Sequence, residues 1–390
     1  MQDGFVFGIG LKDNKTSNDF LRCLWSRLSA TFGEIGWQYM PMRNENQIFV
    51  GFASLGKSIL LSVTLHYKQR GCLSKIDFSP SGYDDERKMR TLLKQCVEEA
   101  LCSDKYLTKH YARGKLDKSL SFKEKVRNNF SVSGNQIVLR IDGFDDNDCQ
   151  SMFKSQIQQV CNMLTFDTLR YITYSGTLME EIRENHNYQI DLVDASSNEV
   201  TSSMEKNDRY KNLELSDDMA DYIDRYLERP YLYEDHYTLF EISTQLFAQG
   251  IRNEELSNMM AGLPEPYAEQ SIANYMSALE VITLNDKKPE TCECCGQMRY
   301  SIARRVRDLA AKAIPKGDEF ANRFYGNRSK YVHTGALLSS NSYTCCSIPL
   351  LSKHSLSGTI DQLTMVDTWV KEGVKECIVW HEKNKGNVSE

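Results

Sequence analysis

Proline is scarce in this chain, 8 of 390 residues, against a usual ~5%. That argues against Pro-rich linkers and favours helices joined by compact turns. Long apolar runs are missing as well. No stretch approaches the ~20 apolar residues of a helix that spans a bilayer, so no membrane partner is expected. The opening segment "MQDGFVFGIGLKDNK" has no basic stretch followed by a long apolar one, so no secretory signal is expected. Excess positive charge is also absent. The formal net charge is −6, so any surface for nucleic acid has to be local. Apolar residues make up 41% of the chain, enough for real cores in two or three domains. The twelve cysteines are spread out or adjacent. Without an export signal they read as reduced thiols, and the expected compartment is the cytoplasm.

The first half mixes two periodicities. Residues 4–11, 46–54, 57–67 and 135–142 alternate or run apolar and read as strands. Residues 18–32, 84–102 and 146–166 repeat apolar residues at helical spacing. Ser17 or Asn18 is the expected N-cap of the first of these helices. Residues 194–217, "DASSNEVTSSMEKNDRYKNLELSD", are polar and rich in Ser, Asn and Asp, as linkers are. Beyond them six segments, 216–228, 235–250, 267–284, 299–314, 318–333 and 359–384, keep three-and-four apolar spacing. The expected fold is an α+β N-terminal half followed by an all-α helical bundle. In domain terms this is 1–193, dividing further near residue 130 if it holds two subdomains, then a linker at 194–215 and a helical domain at 216–390.

Several stretches only resemble sites. "ASLGKS" and "FGIGLKDNK" lack the G-x-x-x-x-G-K-S/T spacing that cradles phosphates, which excludes a nucleotide-hydrolysing loop of that type. "DDND" at 145–148 lacks the calcium-loop pattern and reads as a turn opening a helix. The stretch 103–127, "SDKYLTKHYARGKLDKSLSFKEKVR", is basic with interleaved aromatics. It reads as a solvated linker or helix face, or as an arm that grips RNA or a ligand. "TCECCGQ" at 291–297 and "TCCS" at 344–347 bring Cys292, Cys295, Cys345 and Cys346, a four-thiol set for a structural zinc; free thiols in turns are the alternative. No Cys–His pairing for a nucleophilic thiol is evident.

The stretch with most chemistry is "FYGNRSKYVHTG", 324–335. It places Arg328 five residues before His333 near a helix end, with Gly335 as a stop signal. Behind a run of helices, and after "SIARRVRDLAAKAI", it resembles the HEPN superfamily over about residues 216–385. Within that superfamily the likeness is to the Apea-like members of bacterial defence systems. The family motif is an arginine, four to six residues, then a histidine, and Arg328 and His333 fill it. Ser329 stands where many members have Asn, Asp or His. The resemblance implies a metal-independent endoribonuclease, a homodimer with a composite cleft, and a setting in antiviral defence by RNA degradation and growth arrest.

The chemistry suits these residue types. Histidine titrates near neutral pH and serves as acid or base. Arginine stays charged and holds phosphate oxygens with a fork of donors. The 2′-OH is the nucleophile, so RNA is cut and DNA spared. From 291 to 333 nine Lys or Arg face four Asp or Glu, a local excess of five positive charges that suits a phosphate backbone. Arg304, Arg305, Asn327, Lys330 and Tyr331 are the candidate RNA contacts, and Tyr325 and Tyr331 can stack on bases. One geometric objection stands: residues five apart on a helix point about 140° from each other. The alternative reading is that Arg328 pairs with an acid and His333 caps the helix. Two other functions remain open. One is a non-catalytic, antitoxin-like binding module. The other is a regulator gated by a small molecule or phage-derived trigger bound in the N-terminal half.

Overall fold

The structure is a computed structural model. It describes residues 4–56, 59–69, 71–117, 120–175, 182–183, 212–229, 237–259, 267–284, 290–291, 298–299, 302–334 and 368–385. The fold is mixed α+β, with two sheets in the N-terminal half and several helices in the C-terminal half.

The first unit is built from local pairings. β1 (Phe5–Gly8), β2 (Ile35–Asn44), β3 (Gln47–Leu55), β4 (Ile59–Gln69) and β5 (Cys72–Ser81) make an antiparallel sheet of order β1-β5-β4-β3-β2. Period-two burial puts Leu61, Val63, Ile76 and Phe78 on one face. There they meet Phe20, Leu24 and Leu28 of α1 (Asn14–Phe32), and Leu93 and Val97 of α2 (Glu86–Ala100). Each fully buried Phe or Leu of this kind contributes about 1.5–3 kcal/mol. The expected cap of α1 shifts by one turn. Asp13 is the N-cap, its Oδ1 accepting from the Thr16 amide at 2.8 Å, because a carboxylate meets an orphan amide at least as well as Ser or Asn does.

The second sheet contains β6 (Thr108–Lys115), β7 (Ser121–Val126), β8 (Phe130–Gly134), β9 (Gln136–Gly143), β10 (Ile182–Arg183) and β11 (Asn212–Leu213), in the order β10-β6-β9-β8-β7-β11. The pairs are antiparallel except β11 beside β7. The basic stretch 103–127 is therefore neither linker nor helix face. In β6 its cations sit on alternate positions while His110, Ala112 and Gly114 turn inward, and high charge hides the period of two. After β9, "DDND" opens α3 (Asp146–Thr168) as the sequence suggests. Asp145 is the N-cap for the Asp148 amide at 2.8 Å, and Asp148 Oδ2 accepts from the Phe144 amide at 3.0 Å.

All six expected helices are present, the first five as α4 (Asp217–Leu227), α5 (Leu239–Met259), α6 (Tyr267–Ile282), α7 (Ile302–Ala313) and α8 (Gly317–Thr334). Of these, α5 continues past its expected end at Gly250. The sixth, α9, is Thr368–Asn384; its expected start at 359 lies outside the described residues. The C-terminal half also holds a two-stranded hairpin, β12 (Glu290–Thr291) with β13 (Met298–Arg299). An exclusively α-helical half is therefore not what is observed. The larger apolar cluster crosses the expected boundary, joining Leu139 of β9 and Val160 of α3 to Ile223, Tyr275, Phe320 and Val374. The expected linker, 194–215, lies mostly outside the described residues. No helix among the described residues is long and apolar enough to cross a membrane.

Candidate functional site

The site is built where α8 leaves the core. Its positions 320, 321 and 324 are buried. Phe320 and Phe324 meet Trp369 of α9, with ring centroids 5.3 and 5.9 Å away. The stripe continues at helical spacing, so Tyr325 and Arg328 fall on the flank facing α6. The turn before α8 is equally constrained. A Cβ on Gly317 would lie 1.9 Å from the Ala310 carbonyl oxygen, so only glycine lets α8 fold back this closely on α7.

Arg328 meets Glu280 at the end of α6. Its Nη2 donates to Glu280 Oε2 at 3.1 Å, and Tyr325 Oη donates to Glu280 Oε1 at 2.7 Å. The guanidinium also lies over the Tyr325 ring, 5.6 Å from its centroid. One carboxylate thus holds both side chains. Burial, then the Glu280 carboxylate, pushes the Tyr325 phenol up to about 12, so it stays a neutral donor at ordinary pH. This occupies the Tyr325 hydroxyl and one face of its ring. Arg328 keeps capacity: its side chain is 21% exposed, and its buried Nε has no partner among the described residues.

The remaining candidates are placed unevenly. His333 is the penultimate residue of α8. The helix runs unbroken through both motif residues, so their backbone positions stay about 140° apart. Asn327 and Lys330 lie on the same helix, and Tyr331 is half-buried. The side chains of His333, Asn327 and Lys330 lie outside the description. Arg304 is exposed on α7, with Nε 3.8 Å from Asp308 Oδ2, a pair worth roughly 0–1 kcal/mol. Arg305 is half-buried, and its Nε is buried without a partner among the described residues. Arg307, Lys312, Lys316 and Arg323 are exposed on the same two helices or their turn, as are the acids Asp308, Asp318 and Glu319. Cys292, Cys295, Cys345 and Cys346 lie outside the described residues; β12 and β13 pair on either side of 292–297.

Glu280 is the residue that sequence reasoning missed. Its signal is faint: it is the lone acid within "YMSALEVITL", where an unneeded charge would be costly at a half-buried position. The seven described cysteines are free. Burial raises the Cys149, Cys161 and Cys377 thiols to about 12, so these three are not thiolate nucleophiles. No family model, no curated protein and no solved structure matches the chain.

Proposed function

We propose that the chain is a metal-independent endoribonuclease whose C-terminal helices form a HEPN-like bundle. The observation that carries this is the state of Arg328. Its guanidinium is oriented by one carboxylate and one aromatic ring, is partly open to solvent, and retains an Nε unpartnered among the described residues. An oriented cation with spare donors is what a phosphate needs as negative charge builds in the transition state. In the reaction, His333 takes the proton of the 2′-OH or gives one to the leaving oxygen. The 2′ oxygen bonds to phosphorus, the bond from phosphorus to the 5′ oxygen breaks, and the products are a 2′,3′-cyclic phosphate and a 5′-hydroxyl. The 140° separation on one straight helix supports a homodimer, in which each chain supplies groups the other cannot present on the same face. Arg304, Arg305, Asn327, Lys330 and Tyr331 contact RNA, and the N-terminal half restrains the nuclease until a trigger arrives. The biological setting carried by the resemblance is antiviral defence.

The test is RNA cleavage in EDTA by wild type, Arg328→Ala and His333→Ala, with phage infection or another activator supplied. Each variant should lose about 10²–10³-fold or more, and wild-type products should carry cyclic phosphates. Equal activity of all three sinks the reading. The Arg328–Glu280 pair itself favours a second reading, a non-catalytic RNA- or partner-binding module. In that case Arg328→Ala weakens binding and no turnover is found in any chain. A structural zinc on Cys292, Cys295, Cys345 and Cys346 belongs to the proposal; one metal per chain, lost in Cys292→Ser, is the expected elemental analysis.

A further inference from the structure

Arginine takes a carboxylate or phosphate best through an edge where two N–H bonds run parallel, and Nε with Nη2 is such an edge. In Arg328 that edge is half used. Nη2 donates to Glu280 Oε2 at 3.1 Å, while Nε is buried with no partner among the described residues. Glu280 Oε1, the oxygen that would complete a two-point bond, accepts from Tyr325 Oη at 2.7 Å instead. Tyr325 therefore splits the carboxylate, and a single hydrogen bond holds the ion pair. A phosphate that needs the same edge finds a carboxylate already on it. The two side chains are 21% and 15% exposed, so water screens the repulsion between carboxylate and phosphate only in part.

The position of Glu280 on its helix points the same way. It lies in the last turn of α6, which ends at Ile282. There the unpaired carbonyls favour cations and disfavour a carboxylate. Both side chains that hold the carboxylate, Tyr325 and Arg328, come from α8. The charge is thus placed against the preference of its own helix and kept by the neighbouring one. We infer that Glu280 is a built-in competitor of the substrate phosphate: it closes the Nε–Nη2 edge of Arg328 in the resting chain and must leave that edge before RNA is held for cleavage. The inference rests on Arg328 being the phosphate-holding group. It adds a restraint within the C-terminal helices to the one assigned to the N-terminal half.

The test measures binding of a 2′-O-methyl RNA oligonucleotide by fluorescence anisotropy at one fixed salt concentration, beside cleavage of the unmodified RNA. The probe lacks the attacking hydroxyl, so binding is read even where no chain cleaves. Glu280→Gln keeps the size and a polar partner for both side chains and removes the charge. It should bind about tenfold tighter than wild type and, where wild type cleaves, cleave faster at low RNA concentration. The gain should vanish in the double variant Glu280→Gln with Arg328→Ala. Glu319→Gln removes an exposed charge from the first turn of α8 without touching Arg328, and should change affinity less than about twofold. Tyr325→Phe frees Oε1 to close on both donors and should bind more weakly than wild type. Opposite shifts from two substitutions in one contact are not what a purely structural role produces. Unchanged or weaker binding by Glu280→Gln overturns the inference, even if wild type cleaves RNA. So does a gain that persists without Arg328 or that Glu319→Gln reproduces. Should Glu280→Gln not fold, Tyr325→Phe decides, and unchanged or tighter binding by it overturns the inference. If no chain cleaves and Glu280→Gln still binds more tightly through Arg328, the competitor stands and the nuclease reading falls.

Discussion

The two apolar cores of this protein differ in what they bury besides hydrocarbon. Among the described residues the first, made by α1, α2 and the β1–β5 sheet, holds only Ser17 and Ser26 as buried polar side chains. The second, spanning the β6–β11 sheet and the helices, encloses Asp224, Glu241, Glu254 and Glu269, together with Gln159, Asn162 and several hydroxyls. The buried acids are paired where partners are visible: Glu254 accepts from Lys371 Nζ at 2.6 Å and from Tyr275 Oη at 2.7 Å, and Glu241 meets Arg229 at 2.7 Å. Buried ion pairs add little net stability, but losing one partner is expensive. The first core is thus tolerant packing. The second is a set of mutual dependencies that fixes how helices sit, including the α6–α8 contact through Glu280.

The sharpest way to break that contrast is Glu254→Ala. It strands Lys371 and the Tyr275 phenol, and should lower stability by about 3–5 kcal/mol in urea denaturation. A loss below ~1 kcal/mol would show that the second core is no more interdependent than the first. Next is the joint between the cores. Arg22 of α1 forks onto Asp148 of α3, Nε and Nη2 each 2.8 Å from a carboxylate oxygen, and reaches the Asp142 carbonyl at 2.9 Å. Arg22→Ala should cost about 1.5–3 kcal/mol and split one unfolding transition into two, read by calorimetry.

A smaller effect separates the cores by pH. Burial raises the Tyr222 and Tyr325 phenols, both packed against the second core, to about 12 from the ordinary 10. The unfolded chain releases these protons first as pH rises, so their contribution is intact below pH 10 and is lost as the pH climbs through about 12. A denaturation midpoint that falls over that window, and falls less in Tyr325→Phe, is the expected result. Smallest is Arg304→Ala, which breaks a solvated pair and should change stability by no more than about 0.5 kcal/mol. A drop in RNA affinity with a shallower salt dependence would then mark Arg304 as a phosphate contact rather than a structural one.

The sequence showed its helices because each repeats an apolar face every three or four residues. That signal is local and survives without knowing the partner, as α6 and α8 demonstrate. It hid β6 and β7, whose lysines and arginines point outward from a sheet that closes over α3. It missed β2, paired only along one edge with its side chains largely exposed. Arg328 was visible as a residue type at a spacing. Its environment was not, because Glu280 lies 48 residues away in the chain. Gln156 was likewise only a polar letter inside a helix until the fold buried it, its Oε1 without a partner among the described residues. Composition and periodicity are properties of neighbours along the chain, and they determined the elements and the chemistry on offer. Which carboxylate holds which cation, and which polar side chains are buried, depends on contacts between distant segments, and only the tertiary structure decided those.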